Sequence, residues 1–163
     1  MDKTVDGAYY NDILARLEEV LLQELSWCAP WKLDFVGTDF LASKKIQGDT
    51  VERVVDASVK EMKTGGIVRD IKYEVGGKGI LLKLAIDGCV HIPMEAHLKK
   101  DNIKPFMCPI ANMIMDQVIN NLGYVATYLA EMDINEKTKH CALKCAIYQD
   151  VDKIGEVSDW KQT

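Results

Sequence analysis

The chain has 163 residues, 48% of them hydrophobic and 28% charged, and its 20 basic against 25 acidic side chains give a net charge of −5. That length suits one domain, able to bury about two-thirds of the surface its unfolded form would expose. The acidic balance argues against a nucleic-acid or anionic-membrane partner, since both need a basic patch; the basic doublets Lys44-Lys45 and Lys99-Lys100 read as solvated loop charges.

The first seven residues are polar, with Asp2 and Asp6, unlike a signal or transit peptide. No apolar run approaches the roughly 18 residues needed to span a bilayer. Five cysteines without an export signal point to a reducing, cytoplasmic setting, with thiols or metal ligands rather than disulfides.

From about Asp6 to Leu25 the spacing predicts a helix, with Ile13, Leu14, Leu17, Val20, Leu21 and Leu25 on one apolar stripe. Pro30, between Trp27-Cys28 and Trp31, stops it from continuing. A second helix is expected from Asp49, with Asp49 capping and Glu52 reaching back. Val51, Val54, Val55, Val59 and Met62 form its apolar face, and Gly65-Gly66 ends it. The period then changes to two. Ile71, Tyr73 and Val75 alternate, Gly76-Gly77-Lys78-Gly79 turns the chain, and Leu82, Leu84 and Ile86 return as a hairpin. Cys89 to Ile92 reads as an extension of that second strand. A third helix is expected from about Pro105 to Leu122, with Ile110, Ile114, Val118 and Leu122 at every fourth place and Gly123 as its stop. Tyr124 to Met132 and His140 to Tyr148 form a second hairpin around Asn135-Glu136-Lys137-Thr138, and the tail is polar apart from Val157 and Trp160.

The order is α-α-β-β-α-β-β. Strands that come in hairpins rather than singly between helices give an antiparallel sheet with helices packed on one side, an α+β fold in one domain.

Cys108, Cys141 and Cys145, with His97 and His140 nearby, are the constellation with metal-site chemistry. A structural zinc takes about four such ligands at the corners of a small tetrahedron. Four residues of extended strand span about 13 Å, whereas two sulfurs on one zinc lie about 4 Å apart. Cys141 and Cys145 therefore share an ion only if the chain bends between them. Cys28 and Cys89 read as small buried hydrophobes. Cys89 and His91 are two apart, about 6.6 Å on a strand, too far for a direct nucleophile–base hydrogen bond without favourable rotamers. Catalysis has little support, because the one Gly-rich segment joins two strands and reads as a hairpin turn rather than a phosphate loop.

In the stretch from Cys108 to Tyr148 a Cys opens a helix, Gly123-Tyr124 follows it, Glu131 sits on a strand, and Cys141 begins the last strand. This pattern resembles the vinyl-4-reductase domain family, also called hydrocarbon-binding or small-molecule-binding domains. The element order is also similar to that of transport-particle subunits. The chain departs from the family at Ile134, where a middle cysteine would fall, and Cys145, His140 or Asp133 would have to supply that ligand. The resemblance implies a structural zinc on Cys108, Glu131, Cys141 and Cys145, pinning the third helix to the second hairpin. It also implies a small hydrophobic ligand between helices and sheet, lined by Trp27, Trp31, Phe35, Phe106, Tyr124 and Tyr128, with His97 as a polar group. With the apolar stripes of the first two helices, it further suggests a two-fold homodimer. An enzyme acting on a tetrapyrrole or related cofactor, and a scaffold subunit, are the alternative readings.

Overall fold

A computed structural model describes residues 7–26, 32–76 and 80–153. Trp27, Cys28, Pro30, Trp31, the Gly77-Lys78-Gly79 part of the first turn, Val157 and Trp160 lie outside the described residues. The chain runs α1 (Gly7–Leu25), α2 (Asp39–Ala42), α3 (Val51–Thr64), β1 (Asp70–Gly76), β2 (Ile80–Asp87), α4 (Ile92–Lys100), α5 (Pro109–Leu122), β3 (Ala126–Asn135), β4 (His140–Tyr148) and a closing 3-10 turn (Val151–Lys153). This is the expected α+β order, with the one-turn α2 and the helix α4 added. No helix among the described residues is long and apolar enough to cross a membrane.

The four strands form one antiparallel sheet in the order β1-β2-β4-β3, so the two hairpins meet through β2 and β4. Period-two alternation sends Ile71, Leu82, Leu84, Ile86, Cys141, Leu143, Cys145 and Ile147 to one face, where they bury against α3 and α5. The amphipathic α3 contributes Val51, Val54, Val55 and Met62 to this core. The Tyr73 hydroxyl ties β1 to α3 by donating to Asp56 Oδ1 at 2.7 Å. By contrast, α5 is buried at Pro109 through Met115 and again at Gln117 and Val118, so it runs through the centre of the domain.

Both ends of α5 follow from local chemistry. Cys108 has the extended backbone of an N-cap, Pro109 follows it at the start of the helix, and Gly123 closes the helix at φ 68°. The helix starts later than the Pro105 expected, because 103–108 form an irregular connection. At α3 the cap is Thr50, whose Oγ1 accepts from the Arg53 amide at 3.3 Å, while Asp49 pairs with the Arg53 guanidinium at 2.8 Å. The expected cap is thus displaced by one residue.

The strand extension from Cys89 to Ile92 does not form. Gly88 turns at φ 65°, its amide bonds to Lys139 O at 2.9 Å, and the chain enters α4 with Pro93 in the first turn and His97, Lys99 and Lys100 in the last. α1 packs mainly on α4. A smaller apolar cluster of Leu33 and Met107, with Leu21, Leu22, Leu25, Val36 and Phe106 against it, joins the end of α1 to the body. Buried Asn112 of α5 fastens the adjoining loop, donating to Leu33 O at 2.9 Å and Val36 O at 3.1 Å.

Candidate functional site

Cys108 and Cys141 are both buried, within electrostatic reach of each other and of Cys89. Cys145 is fully buried opposite Leu82 and Leu129. Between Cys141 and Cys145, β4 pairs with β2 without interruption, so their Cα atoms stand about 13 Å apart.

Glu131 goes the other way. Leu129 opposes Cys145, but Glu131 opposes Lys144, so Ala130 is an extra residue in β3 and reverses which face the following side chains take. Glu131 is therefore exposed on the outer face of the sheet, 2.9 Å from Lys144 Nζ. The donor set Cys108, Glu131, Cys141 and Cys145 does not come together and does not fit a single zinc ion.

The expected lining residues are also spread out. Phe106 and Tyr128 share a crevice of only about 20 Å³ with Asn112, Met115 and Leu129. Phe35 is 65% exposed. Tyr124 packs at the core margin and its hydroxyl accepts from Gln149 Nε2 at 2.7 Å. His97 lies on α4, 3.6 Å from Asp12 and 3.8 Å from Asp101. Between helices and sheet the described residues form a continuous hydrophobic core cluster.

Room exists on the opposite face. The outer surface of the sheet, which no helix among the described residues covers, forms an open trough of about 760 Å³. Ala85 and Ala142, paired across β2 and β4, lie at its floor. Lys72, Glu74, Lys83, Glu131, Asp133 and Lys144 stand along its strands, and Lys104 leans in from the α4–α5 connection. Glu131–Lys144 and, at 3.9 Å, Glu74–Lys83 are ion pairs there, while Lys72 and Lys104 have no ion-pair partner among the described residues.

Sequence reasoning passed over a buried polar group at the α1–α4 contact. Glu18 of α1 and Glu95 of α4 are 3% and 4% exposed, and both oxygens of Glu18 and Oε2 of Glu95 have no hydrogen-bond partner among the described residues. Burial pushes the Glu18 carboxyl up to about 7; burial and the neighbouring Glu18 push Glu95 up to about 9. Just before α4, Cys89 Sγ lies 3.6 Å from His91 Nδ1 and accepts from the His91 amide at 3.4 Å. The spacing of His91 and Glu95 sets them on one face of the helix, but nothing in the sequence marks that face, or Glu18, as buried.

The thiols are not poised as nucleophiles. Burial raises Cys89 to about 11 and Cys141 and Cys145 to about 12, raises Cys108 well above the ordinary thiol value, and lowers His91. Cys89 and His91 therefore meet as a neutral thiol and a neutral imidazole rather than as a reactive ion pair.

The chain matches no known protein family, no curated protein and no solved structure.

Proposed function

We propose that this chain is a small-molecule-binding module that holds its ligand rather than transforming it, and that the ligand lies on the outer face of the sheet. The trough is the observation that carries this reading. Its volume falls within the roughly 300–1,000 Å³ of ordinary ligand sites, with an apolar floor and a few polar groups at its margin. Lys72 and Lys104, which form no ion pair across the trough among the described residues, favour a largely apolar molecule with an acidic group. The absence of an activated nucleophile–base pair among the described residues favours binding over catalysis. The hydrophobic ligand implied by the family resemblance is kept, and its place moves from the helix–sheet interior to the open face.

A thermal-shift panel of aromatic, isoprenoid and acyl acids tests the reading. A ligand at a hundredfold excess over its dissociation constant stabilises the fold by about 2.7 kcal/mol. Ala142→Trp, which fills the trough from an exposed position, is expected to remove the shift, whereas Phe106→Ala is expected to keep it. A panel that leaves the melting temperature unmoved overturns the proposal.

The partner in this reading is a second copy of the chain. On α1 the side chains of Tyr9, Tyr10, Ile13, Leu14, Leu17 and Val20 are all at least 41% exposed. Their spacing gathers them on one side of the helix, while Ala15 and Glu18 are buried. Isolated exposed apolar residues are ordinary, but a continuous stripe of this kind marks an interaction surface. Two such stripes meeting about a two-fold axis cover each other. Sedimentation equilibrium at tens of micromolar is expected to give a dimer, and Leu17→Glu a folded monomer. A monomeric parent protein rules out the pairing.

A further inference from the structure

The register of the four strands arranges the outer face in two rows that cross the sheet. In the first, Lys72 of β1, Ala85 of β2, Ala142 of β4 and Asp133 of β3 stand opposite one another. The second row, two residues along each strand and about 7 Å away, holds Glu74, Lys83, Lys144 and Glu131 in the same strand order. We propose that the trough takes a flat, rigid carboxylate lying across the strands, with its face on Ala85 and Ala142 and its acidic group on Lys72. This rests on the ligand-binding reading and adds to it a shape, an orientation and an anchoring residue.

The shape follows from the floor. Alanine is depleted in strands, where longer side chains cover the pleated surface better. Two alanines side by side on β2 and β4 leave a hollow with methyl groups at its bottom and charged side chains at either end. Neighbouring strands lie about 4.8 Å apart, so the backbones at Lys72 and Asp133 are about 14 Å apart. The trough is open above, and a ligand in it buries one side only. A flat plate lays a whole face on the alanines, whereas a flexible chain leaves most of its circumference in water and loses more freedom on being held. The second row makes a side wall. Its two central lysines are each engaged by the acid of the adjoining edge strand, Glu74–Lys83 at 3.9 Å and Glu131–Lys144 at 2.9 Å. Their aliphatic stems are left for the edge of the ligand.

Charge sets the direction. On β1 the side chains two residues to either side of Lys72 are Asp70 and Glu74, and both are engaged elsewhere, Asp70 by Lys63 at 2.8 Å and Glu74 by Lys83. Lys72 has no ion-pair partner among the described residues, so its charge is the surplus at that end. At the β3 end Lys104 is set against Asp133. These two also line a neighbouring hollow of about 420 Å³ between β3 and the α4–α5 connection. An anionic group therefore meets net attraction at Lys72 and balanced charges at the far end.

The test is a calorimetric titration of the full-length protein with three probes: naphthoate, its uncharged amide and decanoate. Naphthoate is expected to bind at least about tenfold tighter than either of the others. In Lys72→Gln it should fall to the affinity of the amide. Ala85→Leu, which raises the floor at a half-buried position, should weaken naphthoate and amide alike, with the melting temperature of the free protein reporting that the fold is kept. Nuclear Overhauser contacts between the ring protons of naphthoate and the methyl groups of Ala85 and Ala142 need no variant. Decanoate binding as tightly as naphthoate refutes the shape. A preference for the acid that survives in Lys72→Gln and is lost in Lys104→Gln refutes the anchor. In both cases a ligand still excluded by Ala142→Trp leaves the trough reading standing, so the two failures are told apart. No binding of naphthoate at millimolar concentration overturns the inference outright.

Discussion

Replacing Glu95 with Gln is expected to stabilise the protein at neutral pH and above, and to remove the fall of its stability between about pH 7 and 9. The Glu95 carboxyl ordinarily titrates at 4.5 and is raised to about 9 in the fold; Glu18 is raised to about 7. A native-state value above the unfolded one means that the folded protein holds more protons between the two. Stability is then full below about pH 4.5 and falls as pH rises, by about 1.4 kcal/mol per unit for each group still protonated in the fold. For Glu95 alone the loss is about 3 kcal/mol at pH 7 and about 6 kcal/mol above pH 9. Glu18 adds its share up to about pH 7, and the two titrate as a coupled pair. Gln keeps the shape and cannot ionise. Urea unfolding at pH 5, 7 and 9 should show the parent weakening across the whole range, whereas Glu95→Gln weakens only up to about pH 7, where Glu18 has ionised, and is level from there to pH 9; parallel decline in both proteins between pH 7 and 9 would show that Glu95 is not the cause.

Ile114→Ala is expected to cost about 2–5 kcal/mol, the usual range for truncating a large aliphatic side chain in a packed core. Ile114 is fully buried midway along α5, with Ile110 and Val118 one turn to either side, also fully buried. A helix enclosed on nearly all sides cannot shift far to close the gap. For a chain of this size each kcal/mol lowers the melting temperature by about 2–4 °C, so calorimetry should register a fall of many degrees. Truncation at the exposed Val151 should stay within about 0.5 kcal/mol. A comparably small effect at Ile114 would mean that α5 is not the centre of the core.

Strong periodicity is what made the fold legible. The alternation of Leu82, Leu84 and Ile86, the four-residue recurrence along α5 and the glycine after Leu122 each announce one structure, and each forms. α4 was missed because Ile92, Met94, Glu95, Ala96 and Leu98 are all buried, so no polar face marks a helical period. For the same reason Glu95 carried no sign of its burial: a carboxylate in sequence reads as a solvated one. That Cys108 and Cys141 lie within electrostatic reach of each other was suggested by the family resemblance rather than by their spacing. The misplacement of Glu131 was not, because strict alternation from Thr127 and Leu129 carries it inward, and only the extra residue Ala130 turns it out.

That extra residue also bears on how the protein avoids sticking to itself through its sheet. β3 lies at the sheet edge, where a flat strand offers unpaired amides and carbonyls to any passing chain. A bulge twists such an edge, and beyond it Glu131 and Asp133 place charge along the strand. Growth of the sheet by addition of a foreign strand is thereby discouraged on that side, so that the pairing proposed for α1 would meet no competition from strand addition at β3.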